Sequence, residues 1–316
     1  MRTFFKIGAV AVLVIIISIV SCDKNDGGTV VKIPSENKHF DLVTYNVRWL
    51  GKPDKANLSF DRDEQISRAA KDILKADADI YALQELVIDS KNGDALSDLL
   101  DELNSLDGSD SWSGGFNEYF SYWWNPDFDR YPAQRQAFVY RNSSVKNVTF
   151  QTLLIDEVVA EDNRFASGRL PFMMEADVTF NGTTEHVYIV NLHLKCCKDN
   201  DDRRLQSMEA LVGELNLGFH DVNVVVMGDM NVADYGGAYG EISSWGIYND
   251  NDFDGTDDYF HAAGSVKDLS YSDIDHILIS DELKDELDAS PEEFRNQIIE
   301  STVSDHDMVK TSLLLQ

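Results

Sequence analysis

Residues 222–231 read VNVVVMGDMN, and few stretches of the chain restrict the fold as strongly. A valine-rich apolar run of this length suits a strand buried on both faces. Gly228 is expected to end that strand and leave Asp229 and Asn231 at its C-terminal mouth. In a strand-like backbone, side chains two positions apart point to the same side. A carboxylate and a carboxamide then share one polar floor at the end of a core strand. Taken alone, the same residues also describe a plain turn, because Gly, Asp and Asn are all turn formers.

The rest of the chain alternates strand and helix patterns. Strands are expected at 40–47, 79–83, 118–124, 137–140, 172–180, 185–194, 274–279 and 308–315. Residues 61–76 carry a helical period, with Ile66, Ala69, Ala70, Ile73 and Leu74 on one face. Helices are also expected at 94–106 and 202–217, and Asn181-Gly182 marks a tight hairpin turn. A core that mixes βαβ pieces with hairpins implies mixed sheets covered by helices.

The first residues are processing signal rather than fold. Arg2 and Lys6 precede an apolar stretch at 7–20 that is shorter than the ~18 or more residues of a spanning helix. It ends IVSC, which resembles the lipobox of bacterial lipoproteins, where cleavage precedes a cysteine that takes lipid. The expected organisation is a signal peptide at 1–21, a polar tether at 22–38 beginning with lipidated Cys22, and one domain at 39–316. This resemblance implies a bacterial envelope protein anchored to the membrane, at the outer membrane or cell surface. Cys196 and Cys197 are neighbours and no Cys/His pair has zinc spacing, so they are reduced, bonded to each other, or merely packed.

Several expected strands finish in a polar residue. Asn46 closes TYN, Glu85 closes LQE, and His193 sits in NLHLK. Asp229 and Asn231 sit in GDMN, Asp275 and His276 in SDIDHIL, and Asp305 and His306 in SDHD. Singly, each has a structural explanation: Glu85 as a helix-start acid, His193 as a satisfied core histidine, Asp305 as a turn cap. Together they fit the rule that open α/β sheets gather their sites at one strand edge.

In this order the motifs resemble the endonuclease/exonuclease/phosphatase superfamily, from residue 40 to the C-terminus. TYNVRW, QELVIDS, AFVYRNSSV and FASGRLPF are most similar to its pancreatic deoxyribonuclease branch. The resemblance implies an α/β four-layer α-β-β-α sandwich with two packed mixed β-sheets flanked by helices. It implies Glu85 and Asn46 at a magnesium site, with Asp305 as a further metal ligand and Mn²⁺ or Ca²⁺ as possible substitutes. It gives Asp229 and Asn231 the attacking water and the phosphate, Asp275 the orientation of catalytic His306, and His193 the second catalytic histidine. Arg169, with Asn231 and Asn46, contacts the phosphate. Two departures stand out. The acid that supports the second histidine falls near Gln134, and the Cys196-Cys197 pair matches neither disulfide of the pancreatic enzymes.

The implied activity is in-line hydrolysis of a nucleic-acid phosphodiester by water, on DNA more than RNA. A sphingomyelinase-like or inositol-phosphate phosphatase on the same scaffold is the alternative, and a non-catalytic surface lipoprotein is a third reading. No protein partner is implied. The net charge of -29, from 27 Lys+Arg against 56 Asp+Glu, excludes a global basic footprint for nucleic acid. A bound divalent cation reverses the sign of a carboxylate-lined site, so a phosphate substrate is compatible with that charge. Arg203 and Arg204 read equally as a DNA contact or as solvated helix-start charges. The Asp-rich loop at 249–258 reads as a solvated turn or as a calcium site.

Overall fold

β-strands and helices alternate along the chain of this computed structural model. It describes residues 39–108, 110–124, 133–155, 164–180, 182–197, 200–232, 259–264 and 274–315. The lipobox, the tether and the Asp-rich loop lie outside these residues.

The strands are β1 (Phe40–Leu50), β2 (Ile80–Asp89), the short β3 (Gly93–Asp94), β4 (Trp112–Phe116), β5 (Gln134–Arg141), β6 (Val145–Thr152), β7 (Phe172–Phe180), β8 (Thr183–His193), β9 (Val224–Asp229), β10 (Tyr259–Gly264), β11 (Asp275–Ser280), β12 (Gln297–Ile299) and β13 (Met308–Leu313). The three longest helices are α1 (Arg62–Ala76), α2 (Ala95–Asp107) and α3 (Asp201–Gly218). A seven-stranded sheet runs β12-β13-β1-β2-β5-β4, with β3 paired to β2. A six-stranded sheet runs β10-β11-β9-β8-β7-β6. Within each sheet one pair is parallel, β1/β2 and β8/β9, and the other pairs are antiparallel. Parallel neighbours need a crossover, and α1 and α3 supply the two.

The alternation along β1 shows how the layers form. Phe40 and Leu42 enter a core shared with Met174, Ile189, Val225 and Met227 of the second sheet. Val43, Tyr45 and Val47 face the other way, onto Ile66, Ala69 and Ile73 of α1 and Leu96 and Leu99 of α2. The outer side of the second sheet, with Val190, Val224 and Val226, packs on Met208, Leu211 and Leu215 of α3. The result is the four-layer α-β-β-α sandwich expected from the sequence. Both early helices are capped by aspartate: Asp61 accepts from the Glu64 N–H, and Asp94 from those of Leu96 and Ser97.

Three local expectations change. Residues 118–124 are not a strand but a bend and turn. The strand is the preceding WSGGF, for which no element was expected. A Cβ at Gly114 would lie 2.5 Å from the Phe138 carbonyl oxygen, and one at Gly115 would lie 2.4 Å from the Phe150 ring, so close packing across β4 demands glycine. Strand β2 does not stop at Leu83 but passes through a bulge and re-pairs with Arg135 and Gln134 of β5. Gly228 does not end β9. It lies inside the strand opposite Leu192, and Asp229 is the last residue.

Candidate active site

Strand direction brings the polar ends together. β1 and β2 are parallel, so Asn46 and Glu85 lie toward the same edge of the first sheet. β8 and β9 are parallel, with His193 opposite Asp229. β11 runs antiparallel to β9 and starts with Asp275 opposite Asp229. β13 runs antiparallel to β1, so the loop before it delivers Asp305 and His306 to that edge.

Local backbone geometry aims the side chains. Glu85 has φ +66° inside the β2 bulge, which redirects its carboxylate. Asn231 has φ +52°, and its N–H donates to Asp229 Oδ1 at 3.1 Å. Its side-chain amide donates to the Leu194 carbonyl at 3.1 Å. Asn231 and Asp229 are thus locked to the end of β8, in a tight turn rather than in a continuing strand.

The central contacts form one cluster. Asn46 Nδ2 donates to Asp229 Oδ2 at 3.0 Å. Glu85 Oε2 accepts from the Trp49 N–H at 3.2 Å. His193 Nε2 lies 3.5 Å from Asp229 Oδ2 and 3.8 Å from Glu85 Oε1. His306 Nδ1 lies 2.7 Å from Asp275 Oδ2. Arg169 is 9% exposed, and its Nη1 donates to Gln134 Oε1 at 2.6 Å. Asp305 sits at the rim, 3.4 Å from Arg48 Nε, with its side chain 57% exposed.

Burial and charge set the protonation states. Burial pushes the Asp229 carboxyl up to about 7, with Asp275 adding to the shift and His306 opposing it. Burial likewise raises Glu85, against the pull of Arg169 and His306. Burial opposes the charge on His306, but the Asp275 carboxylate outweighs it, and the imidazole is raised to about 10. His193 is the opposite case. Burial, then Arg169 and His306, holds it well below the usual range, so it is a neutral imidazole near pH 7. Its Nδ1 is buried with no hydrogen-bond partner among the described residues. Gln134 accepts from Arg169 through its side-chain carbonyl oxygen.

Glu85 with Asn46 is the group expected from the sequence to hold a divalent cation. Asp229, Asp275 and His306 also gather ligand atoms within 4.8 Å of one another, and an ion there would have to displace the proton that Asp275 holds on His306. Glu85 and Asp229 are buried carboxylates whose ionisation is opposed by burial, and such hard oxygen donors suit a divalent cation. The residues present therefore fit such an ion.

Supporting residues escaped the sequence reading. Asn191 of β8 accepts from Gln84 Nε2 at 2.9 Å and donates to the Leu83 and Ala137 carbonyls. This buried bridge joins the two sheets beneath the site. A polar residue in the apolar run YIVNLHL was its one sequence signal. Asp72 of α1 accepts from the Thr302 N–H at 2.7 Å, the Thr302 hydroxyl at 3.0 Å and the Tyr45 hydroxyl at 3.3 Å. Ser301 Oγ, 2.6 Å from the Tyr45 hydroxyl, accepts in turn from the Val303 and Ser304 N–H groups. These bonds pin the loop that carries His306. Asp72→Ala is expected to cost ~2–3 kcal/mol, because it strands several buried donors. Urea denaturation with an unchanged midpoint would contradict that role.

Two candidate groups are set apart from the site. Arg204 is fully buried, donates to the Lys195 and Cys197 carbonyls and lies 3.6 Å from Asp201, so it is structural rather than a DNA contact. His276 is buried with Nε2 2.7 Å from the Val232 carbonyl, engaged away from the cluster.

Comparison with known proteins adds the fold relationship. No family model matches the chain, and no curated protein matches it. Among solved structures, it is similar to an endonuclease/exonuclease/phosphatase from Bacteroides vulgatus, with TM-score 0.57 and 15% identity, covering 88% of this chain and 99% of that one. It is similar to the mannosyl-6-phosphatase of Bacteroides thetaiotaomicron, with TM-score 0.52 and 14% identity, covering 88% of this chain and 100% of that one. It is also similar to D. rerio TDP2 complexed with single strand DNA product, with TM-score 0.52 and 14% identity, covering 87% of this chain and 98% of that one. At these identities the likeness is one of architecture: the chain has the fold of endonuclease/exonuclease/phosphatase proteins.

Proposed function

We propose that this protein is a divalent-metal-dependent phosphoesterase, a deoxyribonuclease-like endonuclease that cleaves nucleic-acid phosphodiesters with Mg²⁺. One observation carries the reading. Asn46, Glu85, His193, Asp229, Asp275 and His306 arrive in one cluster from strands and loops of both sheets, beside a buried arginine whose only described hydrogen-bonding side chain is neutral. Arg169 carries its charge beside Glu85 and Asp229, and its buried Nε has no hydrogen-bond partner among the described residues, so it can offer donors to phosphate oxygens.

The chain's own residues supply positioning and proton handling. Asp229 accepts a proton from, and orients, the attacking water. Asp275 holds His306 as the imidazolium, which stabilises charge on the phosphoryl oxygens or protonates the leaving oxygen. Neutral His193 donates through Nε2. Asn46 and Asn231 frame Asp229 without adding charge. Glu85 and Asn46 would hold the cation, which when bound polarises a phosphoryl oxygen.

Metal and pH are linked through Asp229. Its carboxyl titrates at about 7, against ~3.9 in an unfolded chain. The metal-free native state therefore binds the proton more tightly, and stability falls as pH rises through that window. His306, raised to about 10, stabilises fully below its unfolded value of ~6.5 and loses that contribution as pH rises through about 10. A cation requires the ionised carboxylates, so Mg²⁺ or Mn²⁺ is expected to raise Tm more at pH 8 than at pH 5. At a hundredfold excess over Kd the gain is ~2.7 kcal/mol. Thermal melts with equal shifts at both pH values would contradict the linkage.

The deciding experiment is a Mg²⁺-dependent screen over plasmid DNA, RNA, sphingomyelin and inositol or sugar phosphates. Plasmid nicking supports the nuclease reading. Turnover confined to phosphomonoesters would replace it with a phosphatase, the reading favoured by the net charge of -29 and by the likeness to the mannosyl-6-phosphatase. Inactivity on every substrate would leave a binding protein. Attachment to the bacterial envelope through Cys22 belongs to the same proposal. Palmitate labelling that persists in Cys22→Ala would sink that part.

A further inference from the structure

The loop that leaves β8 carries a pair of thiols directly beside the site. Cys196 and Cys197 are both exposed, and their Sγ atoms face each other 2.7 Å apart. Adjacent side chains normally diverge. Here Cys197 adopts φ +80°, which brings the two thiols to one side. The surrounding backbone is held in place. Buried Arg204 donates to the Lys195 and Cys197 carbonyls at 2.9 and 3.0 Å. Asn200 donates from its side chain to the Cys196 carbonyl and from its N–H to the Cys197 carbonyl. Upstream, the Leu194 N–H donates to the Asp229 carbonyl, and the Leu194 carbonyl accepts from Asn231. The thiols and the site share one short, hydrogen-bonded segment.

We propose that Cys196 and Cys197 are a redox-active vicinal dithiol that closes to a disulfide by exchange with a low-molecular-weight disulfide, and that closure weakens phosphate binding at the site. One cysteine thiolate attacks the small disulfide, forms a mixed disulfide and releases one small thiol. The second cysteine thiolate then attacks the protein sulfur of that mixed disulfide and releases the other. Two electrons pass from the protein thiols to the small disulfide, and the two thiol protons leave with the two small thiols. Bonding neighbouring sulfurs restrains the 196–197 peptide inside a small ring. That restraint reaches Asp229 and Asn231 through Leu194. It also acts near Arg169: burial and the Cys197 contact push the Cys196 thiol up, and the charges of Lys195 and Arg169 oppose that. The regulatory half rests on the hydrolase reading; the thiol chemistry does not.

The full chain carrying Cys22→Ala, which leaves Cys196 and Cys197 as its two cysteines, is incubated with oxidised glutathione, then desalted. The expected products are an intact mass about 2 Da lower, a single crosslinked peptide holding both cysteines, loss of maleimide labelling at both, and recovery with dithiothreitol. Reduced protein is expected to bind phenylarsine oxide, and Cys197→Ser to lose both behaviours. A mass gain from stable glutathione adducts, or unchanged thiols, overturns the site. With Mn²⁺ and bis(p-nitrophenyl) phosphate, closure is expected to raise KM about tenfold with little change in kcat. Cys197→Ser is expected to stop at a glutathione adduct on Cys196 with no loss of about 2 Da, and the double variant Cys196→Ser/Cys197→Ser to be indifferent to the oxidant. Closure with no change in KM overturns the regulatory half. If the reduced protein is itself inactive, the hydrolase reading fails, while the mass and labelling results still decide the dithiol.

Discussion

Asp229→Ala is expected to lower phosphodiester hydrolysis by ~10²–10⁴ while leaving the protein folded, and His306→Ala to lower it as far at a cost in stability. The two differ because of how each charge is held. Asp229 is buried, and its ionised form is opposed by that burial and by Asp275. Its loss removes a desolvation penalty but strands the Asn46 amide and the Asn231 N–H, so the two effects offset and the metal-free Tm should change little. His306 is instead the cation that compensates buried Asp275, at 2.7 Å. Removing it leaves a buried carboxylate unpaired, a change that typically costs ~3–5 kcal/mol. His306→Asn tests orientation separately from charge. The measurement is kcat/KM with Mg²⁺ and Mn²⁺, beside circular dichroism and thermal melts. Near-normal turnover with unchanged metal dependence in either alanine variant would remove that residue from the chemistry.

Gly228→Val is expected to be among the most damaging single changes, with a stability loss of ~3 kcal/mol and activity lost with it. A Cβ at Gly228 would lie 2.1 Å from the Leu192 carbonyl oxygen and 2.8 Å from its backbone nitrogen. These are main-chain atoms of the paired strand, which cannot rotate away as a side chain would. Relief requires β8 and β9 to part, and their register is what sets His193 opposite Asp229. Its φ of +153° adds a conformation that side chains rarely adopt. Gly182→Ala is the matched control. It has φ +87° but nothing within 4 Å of its Cβ, so the cost is backbone strain alone, ~1–2 kcal/mol, with activity kept. Urea titrations of the two variants separate the mechanisms. Equal losses would show that the Leu192 contact is unimportant.

Much of the architecture was legible in the residues. The β9 run, the β7–β8 hairpin and the apolar face of α1 are local patterns, and local patterns persist because burial rewards the same period everywhere in the chain. The misses have local causes too. Residues 118–124 are aromatic and look like a strand, yet they form a turn in which Tyr119 and Trp123 stack edge to face at 5.1 Å. β4 carries glycines because Phe138 and Phe150 crowd it, a fact about partners distant in sequence. β6 is a mostly exposed edge strand, so no apolar run announced it.

The sequence by itself singled out the polar residues Asn46, Glu85, His193, Asp229, Asp275 and His306; His193 and Asp229 do close their strands and Asp275 opens one, whereas Asn46 and Glu85 lie inside β1 and β2. Only the tertiary structure decided what those residues do to one another. Protonation depends on burial and on charges brought from other strands, so a neutral His193 and a charged His306 follow from surroundings no linear pattern contains. The partner of Gln134 is Arg169 rather than a histidine because the short helix Ala166–Gly168 sets the arginine against β5. Gly228 carries the same lesson. From the sequence it reads as the end of a strand; in the fold it sits inside the strand, where the neighbouring backbone leaves no room for a side chain.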